Sequence, residues 1–329
     1  MVDQKTNYSF GRPFSFDTED KGYAKALNSV LGPKFRRVMR NVGEGAWIGG
    51  KCWLFPYYEG GELAFKRFPA DEVLPFWADA DHTVLDAAVH VYAVLEYDET
   101  EVAKDVVKAE VMHGGGVDCF ILRDDGTLEP DPEARSGPYI TAPDPETGEE
   151  TGYNWERIPL VCFKSSQHEI PLLSKVKCLQ DAYNSIVSNF ANQMEEDVHS
   201  TILVIKNYDG EDLGRVRANL ATYGIIKVRS FEGSEGGVDT LQIEVNSENY
   251  KTLLSILKDA IIENARGYDA KDDRMSGNPN QMNIQSMYSD IDLDANGIET
   301  EFQAAMEELL WFVNRHLANT GKGDFEGTE

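Results

Sequence analysis

The sequence predicts an α+β fold, in which a strand-rich body is followed by long helices that carry a small α/β insert. Apolar residues recur at three- and four-residue steps over residues 172–198, 247–266 and 283–317, which is the period of helices with one buried face. Before these stretches, short apolar and aromatic runs alternate with glycine-containing turns, as in strands. The 329 residues are enough to bury a sizeable core and favour two or more units.

The strand-rich body opens with two predicted segments. Tyr8, Phe10, Phe14 and Phe16 alternate with other residues, so residues 1–16 are predicted to be extended, whereas the spacing in residues 22–42 predicts one helix. The predicted strands then follow at residues 46–55, 61–68, 73–77, 87–97, 106–112, 119–122 and 157–163. The first two strands flank a glycine turn and predict a hairpin, and the acidic, Pro- and Gly-rich residues 130–152 predict a surface excursion.

The second half is predicted to be helix, insert and helix. The insert has predicted strands at residues 201–205, 225–229 and 238–245 and a short helix at residues 211–223. Ser247 is the expected N-cap of the following helix and Gly267 its expected stop. The polar residues 268–282 then predict a flexible loop. The last helix, about ten turns and roughly 50 Å long, has Gly297 at a predicted bend.

Charge is strongly biased. The chain has 57 acidic and 31 basic side chains and a formal charge of −26, which argues against a broad basic surface for nucleic acid. The long last helix repeats this bias, because Arg315 is the single Lys or Arg residue between residues 283 and 317. Its acidic residues are Asp290, Asp292, Asp294, Glu299, Glu301, Glu307 and Glu308. The helix is therefore predicted to present negative potential.

The cysteines and the apolar segments exclude further classes of protein. The four cysteines form no CxxC pair, so we expect reduced thiols and neither a disulfide framework nor a zinc site. No apolar run reaches about 18 residues, and no basic region precedes an apolar one at the N-terminus. The sequence therefore predicts a chain that neither spans a membrane nor is secreted by the usual route.

Local motifs do not predict catalysis. Residues 292–297 resemble the start of a calcium loop, but Gln303 replaces the expected bidentate Glu and an uninterrupted helix would splay the carboxylates. His113 and the three following glycines resemble an esterase loop, yet no Gly-x-Ser-x-Gly elbow occurs and a turn between strands is favoured. The histidines lack metal-site spacing, and no common nucleotide-binding motif occurs. Acidic residues beside His199 fit a solvated helix end. We therefore expect no enzyme activity, cofactor or metal.

Several ordered stretches carry a family resemblance. They are residues 2–8, 11–14, 49–54, 65–69, 72–75, 157–159, 176–184, Ser188, Asn192, 276–279, 287–291 and 301–302. Each stretch is weak alone, but together they span nearly the whole chain in the expected order. In this set the chain resembles the portal proteins of tailed bacteriophages, of the type found in siphoviruses of Gram-positive hosts.

The resemblance implies a division of the chain. Residues 1–164 would be the wing, 165–198 the first stem helix, 199–246 the clip, 247–267 the second stem helix and 268–282 the tunnel loop. Residues 283–329 would be the long kinked helix that leads toward a crown. Family chains usually start earlier and continue into that crown, so both ends are expected to be missing here.

The resemblance also implies partners and places. Subunits would form a ring of about twelve, with about thirteen possible when isolated, around passing double-stranded DNA. The terminase large subunit, head-completion or adaptor proteins, and the major capsid and scaffolding proteins would be further partners. The implied location is the portal vertex of the virion's capsid, and the host cytoplasm during assembly.

Three sets of site residues follow from these expectations. A DNA-facing tunnel loop would use Lys271, Arg274, Asn278, Asn280 and Gln281. An acidic tunnel wall would use Asp290, Asp294, Glu299, Glu301 and Glu307, because carboxylates do not hold phosphates. Contacts of the clip with partners would use Glu211, Arg215, Arg229 and Glu232.

Two other interpretations share the local features. The chain could be an acidic adaptor or scaffold that binds another protein through its helix pair and does not form a ring. A weaker alternative is an enzyme with a pocket between the strands and the helices, which would need polar side chains converging in a closed cavity.

Overall fold

The computed structural model has an α+β fold that divides into two compact units. It describes residues 1–12, 14–97, 103–134, 136–143, 148–197, 202–206, 212, 214–215, 218, 222, 228–229, 237–241, 247–269 and 281–325. One unit comprises Met1–Val176 with Ile262–Glu329, and the other comprises Lys177–Ile261. The predicted fold class is confirmed, while the predicted wing, stem and clip boundaries remain predictions. Within the described ranges, no helix is both long and apolar enough to cross a bilayer.

The chain begins with helices α1 (Val2–Phe10), α2 (Lys21–Val30) and α3 (Pro33–Gly49). The predicted extended segment at residues 1–16 is wrong, because residues 2–10 form a helix that buries Lys5 and Thr6. The single helix predicted at residues 22–42 is also wrong. Gly32 and Pro33 break it, since proline lacks the N–H needed inside a helix and is favoured at its first turn.

A three-stranded antiparallel sheet follows, in the order β10–β1–β2. It contains β1 (Lys51–Glu59), β2 (Glu62–Pro69) and β10 (Val161–Lys164). The predicted hairpin is confirmed, and Gly60 and Gly61 form its turn with φ of 59° and 83°, angles that glycine adopts without a steric cost. The strand starts at Lys51 and not at residue 46, because α3 continues to Gly49.

A five-stranded antiparallel sheet in sequential order forms the next layer. Its strands are β3 (Val73–Trp77), β4 (Leu85–Tyr97), β5 (Ala103–His113), β6 (Gly116–Leu122) and β7 (Leu128–Pro130). All four strands predicted here are confirmed, and residues 113–116 form the expected turn. The predicted excursion at residues 130–152 contains a further hairpin, β8 (Ile140–Pro143) and β9 (Glu150–Tyr153). All four cysteines are free, as expected.

The second unit is built on two long helices, α4 (Leu172–Asp197) and α5 (Ser247–Asn264). The rings of Phe190 and Tyr250 lie 4.8 Å apart and join the helices within this unit. Strands β11 (Ile202–Lys206) and β12 (Gly237–Leu241) pair in antiparallel fashion. The predicted helix 211–223 and strand 225–229 lie largely outside the described residues.

The last helix, α6 (Gln281–Asn319), supplies a large part of the core. The side chains that it contributes to the main core cluster recur on one side and are Ile298, Phe302, Ala305, Leu309, Phe312, Val313 and Leu317. They join a single cluster with Tyr23, Leu27 and Phe35 from α2 and α3 and with Leu54 and Phe163 from the first sheet. The helix is continuous through Gly297. The bend there remains a prediction.

One acidic side chain of α6 departs from this apolar packing. Burial raises the pKa of Glu308 to about 7, although the charges of Arg157 and Lys164 act in the opposite direction. In the unfolded chain a glutamate ionises near pH 4.3. Between these values the unfolded state binds fewer protons than the folded state, so stability falls as the pH rises from about 4.5 to about 7.

We therefore predict that Glu308→Gln stabilises the fold above pH 7 by about 1–3 kcal/mol and flattens its pH dependence between pH 5 and 7. Urea unfolding followed at several pH values measures both effects. The neighbouring exposed Glu307→Gln is the matched control and should leave the pH profile unchanged. If the stability of Glu308→Gln depended on pH with the same slope as that of the wild type, burial would not be what shifts the pKa of this carboxyl group.

Candidate functional site

The best-defined polar site lies where α5 ends and α6 begins, beside the predicted tunnel loop. After α5, Arg266 adopts a φ of +49°, and the Gly267 N–H bonds to the carbonyl of Ile262 at 3.0 Å. The Arg266 N–H bonds to the carbonyl of Glu263, also at 3.0 Å. These bonds form a Schellman cap with arginine at the left-handed position. The predicted stop was Gly267, one residue later.

Gly267 has a different role in this cap. A Cβ atom there would lie 2.6 Å from the Met1 methyl carbon and 3.1 Å from the side-chain oxygen of Gln4. A side chain at position 267 would therefore have to displace the ends of the Met1 and Gln4 side chains.

A buried ion cluster holds the same junction. The Lys5 Nζ lies 2.6 Å from Asp294 Oδ2 and donates to the Arg266 carbonyl at 3.0 Å. The Arg266 guanidinium reaches the other oxygen of Asp294 at 2.9 Å. The side chains of Lys5 and Asp294 are 2% and 8% exposed, whereas that of Arg266 is 52% exposed. Lys5 also lies over the ring of Trp47. One carboxylate thus joins α1, α6 and the end of α5.

The electrostatics of this cluster follow from its burial. Burial lowers the pKa of Lys5, and the attraction of Asp294 offsets only part of that effect. Burial alone would raise the pKa of Asp294, but the hydrogen bond and charge of Lys5, with Lys175 and Arg266, hold that pKa below its usual value. The Asp294 carboxylate is therefore charged in the fold and needs its cations.

Two further side chains of α1 reach the same junction. Gln4 pairs with the backbone of Tyr268, donating to its carbonyl at 3.0 Å and accepting from its N–H at 3.3 Å. Tyr8 donates a hydrogen bond to Asp292 and stacks near the ring of Tyr288. The Tyr288 ring also lies 5.0 Å from that of Tyr268. Helix α1 therefore contacts the chain both just before and just after residues 270–280.

The structure removes one residue, Asp294, from the predicted acidic wall. Asp290, Glu299 and Glu307 are exposed on α6 and Glu301 is half-buried, but Asp294 is buried against Lys5 and cannot belong to an open wall. The charge bias of the sequence could not separate it from its neighbours, because its cations come from distant segments. Glu299 and Glu307 also line a groove of about 1250 Å³ together with Arg36, Arg37 and Arg40 from α3. The acidic side of α6 thus has basic side chains along one border.

The other predicted site residues are only partly described. Lys271, Arg274, Asn278 and Asn280 lie outside the described residues, and the side chain of Gln281, the first residue of α6, is not described. In the predicted clip, Arg215 and Arg229 are exposed, while Glu211 and Glu232 lie outside the described residues.

The calcium-loop look-alike at residues 292–297 lies within α6, as the helical alternative predicted. Asp292 and Asp294 bind different side chains of α1. Among the described residues, no group of three or more His, Cys, Asp or Glu side chains is placed to hold a metal ion.

Comparison with known proteins identifies the class of protein. Residues 1–328 match the family model described as "Phage portal protein, SPP1 Gp6-like". The chain is 28% identical over 328 residues to the portal protein of Bacillus phage SPP1 and 27% identical over 330 residues to that of Clostridium phage phiCD119. These alignments cover 99% and 94% of this chain. The chain therefore belongs to the SPP1 Gp6-like family of phage portal proteins, which confirms the resemblance found in the sequence.

The chain matches only part of the length of each relative. The chain spans 62% of the length of the SPP1 relative and 68% of the phiCD119 relative. Phage portal proteins are structural components of the virion capsid.

We predict that Lys5→Met destabilises the fold by about 2–4 kcal/mol, because it leaves Asp294 buried with only the half-exposed Arg266 as its cation. Adding Asp294→Leu should restore much of that loss, since the uncompensated charge disappears and water can solvate Arg266. Denaturant unfolding of the two variants and the wild type provides the comparison. A single variant as stable as the wild type, or a double variant far less stable than the single one, would contradict this role.

Proposed function

We propose that this chain is the ring-forming subunit of a DNA channel at one vertex of the phage capsid, used in genome packaging, retention and ejection. The observation that carries the proposal is the lack of packing around α4. Between Lys177 and Met194, none of its described side chains is buried. A helix of 26 residues draws most of its stability from tertiary packing, and the described part of the chain does not supply enough of it, so we infer that neighbouring subunits do.

The exposed surface of the helix pair has the composition of an interface. Leu173, Val187 and Met194 on α4 and Leu253 and Ile256 on α5 are all exposed. In α5 the half-buried residues Tyr250, Leu254, Leu257 and Ile261 follow a different helical side from Leu253 and Ile256. The second apolar side is free to pack against a neighbouring subunit. Repetition of one such contact with a fixed rotation closes a ring.

The acidic charge supports a channel that does not retain DNA. Exposed Asp290, Glu299 and Glu307 would repel phosphates, whereas basic walls would neutralise and hold them. In this proposal Lys271 and Arg274 of the tunnel loop make loose backbone contacts to the DNA. In this proposal the chain has a structural role and no enzyme activity.

The remaining partners are proposed from family membership. The clip, including Arg215 and Arg229, would contact the terminase large subunit during packaging and head-completion proteins afterwards. The wing would contact the major capsid and scaffolding proteins. Assembly would take place in the host cytoplasm. The alternative, an acidic adaptor that forms no ring, differs in its state of assembly.

We predict that Leu253→Glu combined with Ile256→Glu prevents ring formation and leaves the subunit folded. Both side chains are exposed in the single chain, so new charges should act mainly where copies meet. Native mass spectrometry gives the number of copies, and circular dichroism checks the helix content.

The matched control is Lys251→Gln combined with Ser255→Glu, which makes the same charge change on the opposite side of α5. The control variant should assemble like the wild type. Rings of normal size from the Leu253→Glu/Ile256→Glu variant would exclude this side of the helix as the interface. A wild-type chain that remains a monomer would favour the adaptor.

A separate prediction concerns the acidic wall. Replacing exposed Asp290, Glu299 and Glu307 with Lys should slow DNA packaging severalfold, because each new cation can hold a phosphate. The same positions changed to Asn or Gln should have a smaller effect, since they remove repulsion without adding attraction. Packaging assays at two salt concentrations measure this, and the defect of the Lys variant should shrink at high salt. Unchanged packaging by the Lys variant would place this surface away from DNA.

A further inference from the structure

The five-stranded sheet has an apolar outer face in addition to the inner face that packs on the first sheet, whereas antiparallel sheets commonly have one polar, solvated face. Its inner face carries buried Val73, Ala88 and Met112, which pack on the first sheet. The strand register places the opposite set of residues on an outer face: Leu74 faces Val89, Val91 faces Ala109, and Ala109 faces Phe120. Every second residue of β4 from Ala87 to Tyr97 lies on this outer face and is apolar.

The outer face is open in the part of the chain that the structure describes. Its most exposed aliphatic and phenyl side chains are Leu74, Phe76, Val91, Leu95, Leu122 and Leu128, each between 37% and 59% exposed. With their half-buried neighbours they present on the order of 600 Å² of apolar surface, taking about 150–200 Å² for each fully exposed large side chain. That area is at the upper end for the largest patch of a typical monomer. It approaches the share of about 800 Å² that one partner contributes to a standard interface.

The interior of the outer face also lacks charged side chains, on a chain whose formal charge is −26. Among its paired positions the charged groups are Asp105 and Asp118 at two borders, with His113 at 3.2 Å from Asp118. Two copies of an acidic chain repel each other over most of their surface. They can meet at low electrostatic cost only where carboxylates are few, and the outer face, with carboxylates only at two borders, is such a surface. A basic partner protein would bind through carboxylates, and the interior of the outer face offers none.

From these observations we infer that the outer face is a subunit interface, covered by a neighbouring copy of this chain. The inference rests on the proposed ring and adds a second contact region to the helix pair α4 and α5. It assigns the apolar side chains of β3, β4, β6 and β7 to assembly. Burial of this face in the ring removes a surface that would otherwise expose aggregation-prone strands to solvent.

The test measures the accessibility of one side chain on the outer face in the ring and in the free subunit. Val91→Cys is introduced together with Cys178→Ser, which removes the exposed native cysteine. Alkylation by a fluorescent maleimide is timed in the assembled protein and in the same protein carrying Leu253→Glu/Ile256→Glu. The inferred interface predicts a rate at least about tenfold lower in the ring, because interface cores exclude water.

Substitutions give a second, independent measurement. Leu74→Asp combined with Leu122→Asp should lower the fraction of subunits in rings at least about tenfold at a fixed concentration, and both side chains are exposed enough for folding to persist. Gln167→Glu with Asn319→Glu adds the same two charges at exposed positions outside the face and should assemble normally.

The outcomes separate this inference from the proposed function. Rings with a protected Cys at position 91 and weakened assembly of the Asp variant support the inference. Rings in which that Cys reacts as fast as in the free subunit overturn it and leave the ring itself intact. A wild-type chain that forms no rings overturns both.

Discussion

The packing of α6 against the first half of the chain is the constraint on which the first unit depends. Phe312, Val313 and Leu317 are completely buried, and their partners lie more than 250 residues earlier in α2, α3 and β1. Each such side chain contributes about 1.5–3 kcal/mol through burial. Because the helix joins the N-terminal helices to both β1 and β10, its position fixes where its solvent-facing acidic side lies. The predicted functional surface of the chain is therefore set by its core.

Electrostatics act on this helix in two opposite ways. At Asp294 a carboxylate is withdrawn from water and stabilised by Lys5 and Arg266, so the charge serves to fix α1 and the end of α5. At Asp290 and Glu299 the carboxylates remain in solvent, where they contribute to the field around the protein. The carboxylates of α6 thus form a buried ion cluster at one position and a repulsive surface at others. A subunit with this net charge is expected to assemble through areas that are poor in carboxylates, and the outer sheet face is such an area.

The sequence predicted most of the strands and the long helices, because their patterns are local. The glycine turn at residues 60–61, the strand at residues 73–77 and the period of residues 172–198 depend on chemistry within a few residues of each element. The failures have a different cause. Helix α1 has no clear apolar period, since its buried residues are Lys5 and Thr6, and its polar partners lie nearly 300 residues away. The break at Pro33 was readable from the sequence but was overridden by the apolar spacing around it.

The candidate site shows the same limit. The acidic bias of α6 was visible from composition alone, and the family resemblance gave it a proposed role. Which carboxylate is buried could not be predicted, because this depends on where Lys5 and Arg266 are brought by the fold. Residues 270–280, which contain most of the predicted DNA contacts, lie outside the described part of the chain, so their assignment still rests on the sequence.

The central claim is that copies of this chain close into a ring around a channel, and electron microscopy of the purified protein tests it most directly. Class averages viewed along the axis should show a closed ring of about twelve or thirteen copies with an open centre. The acidic residues of α6 should face that centre in a reconstruction. Particles that are single subunits or dimers, under conditions in which the protein is folded, would contradict the account and favour an acidic adaptor.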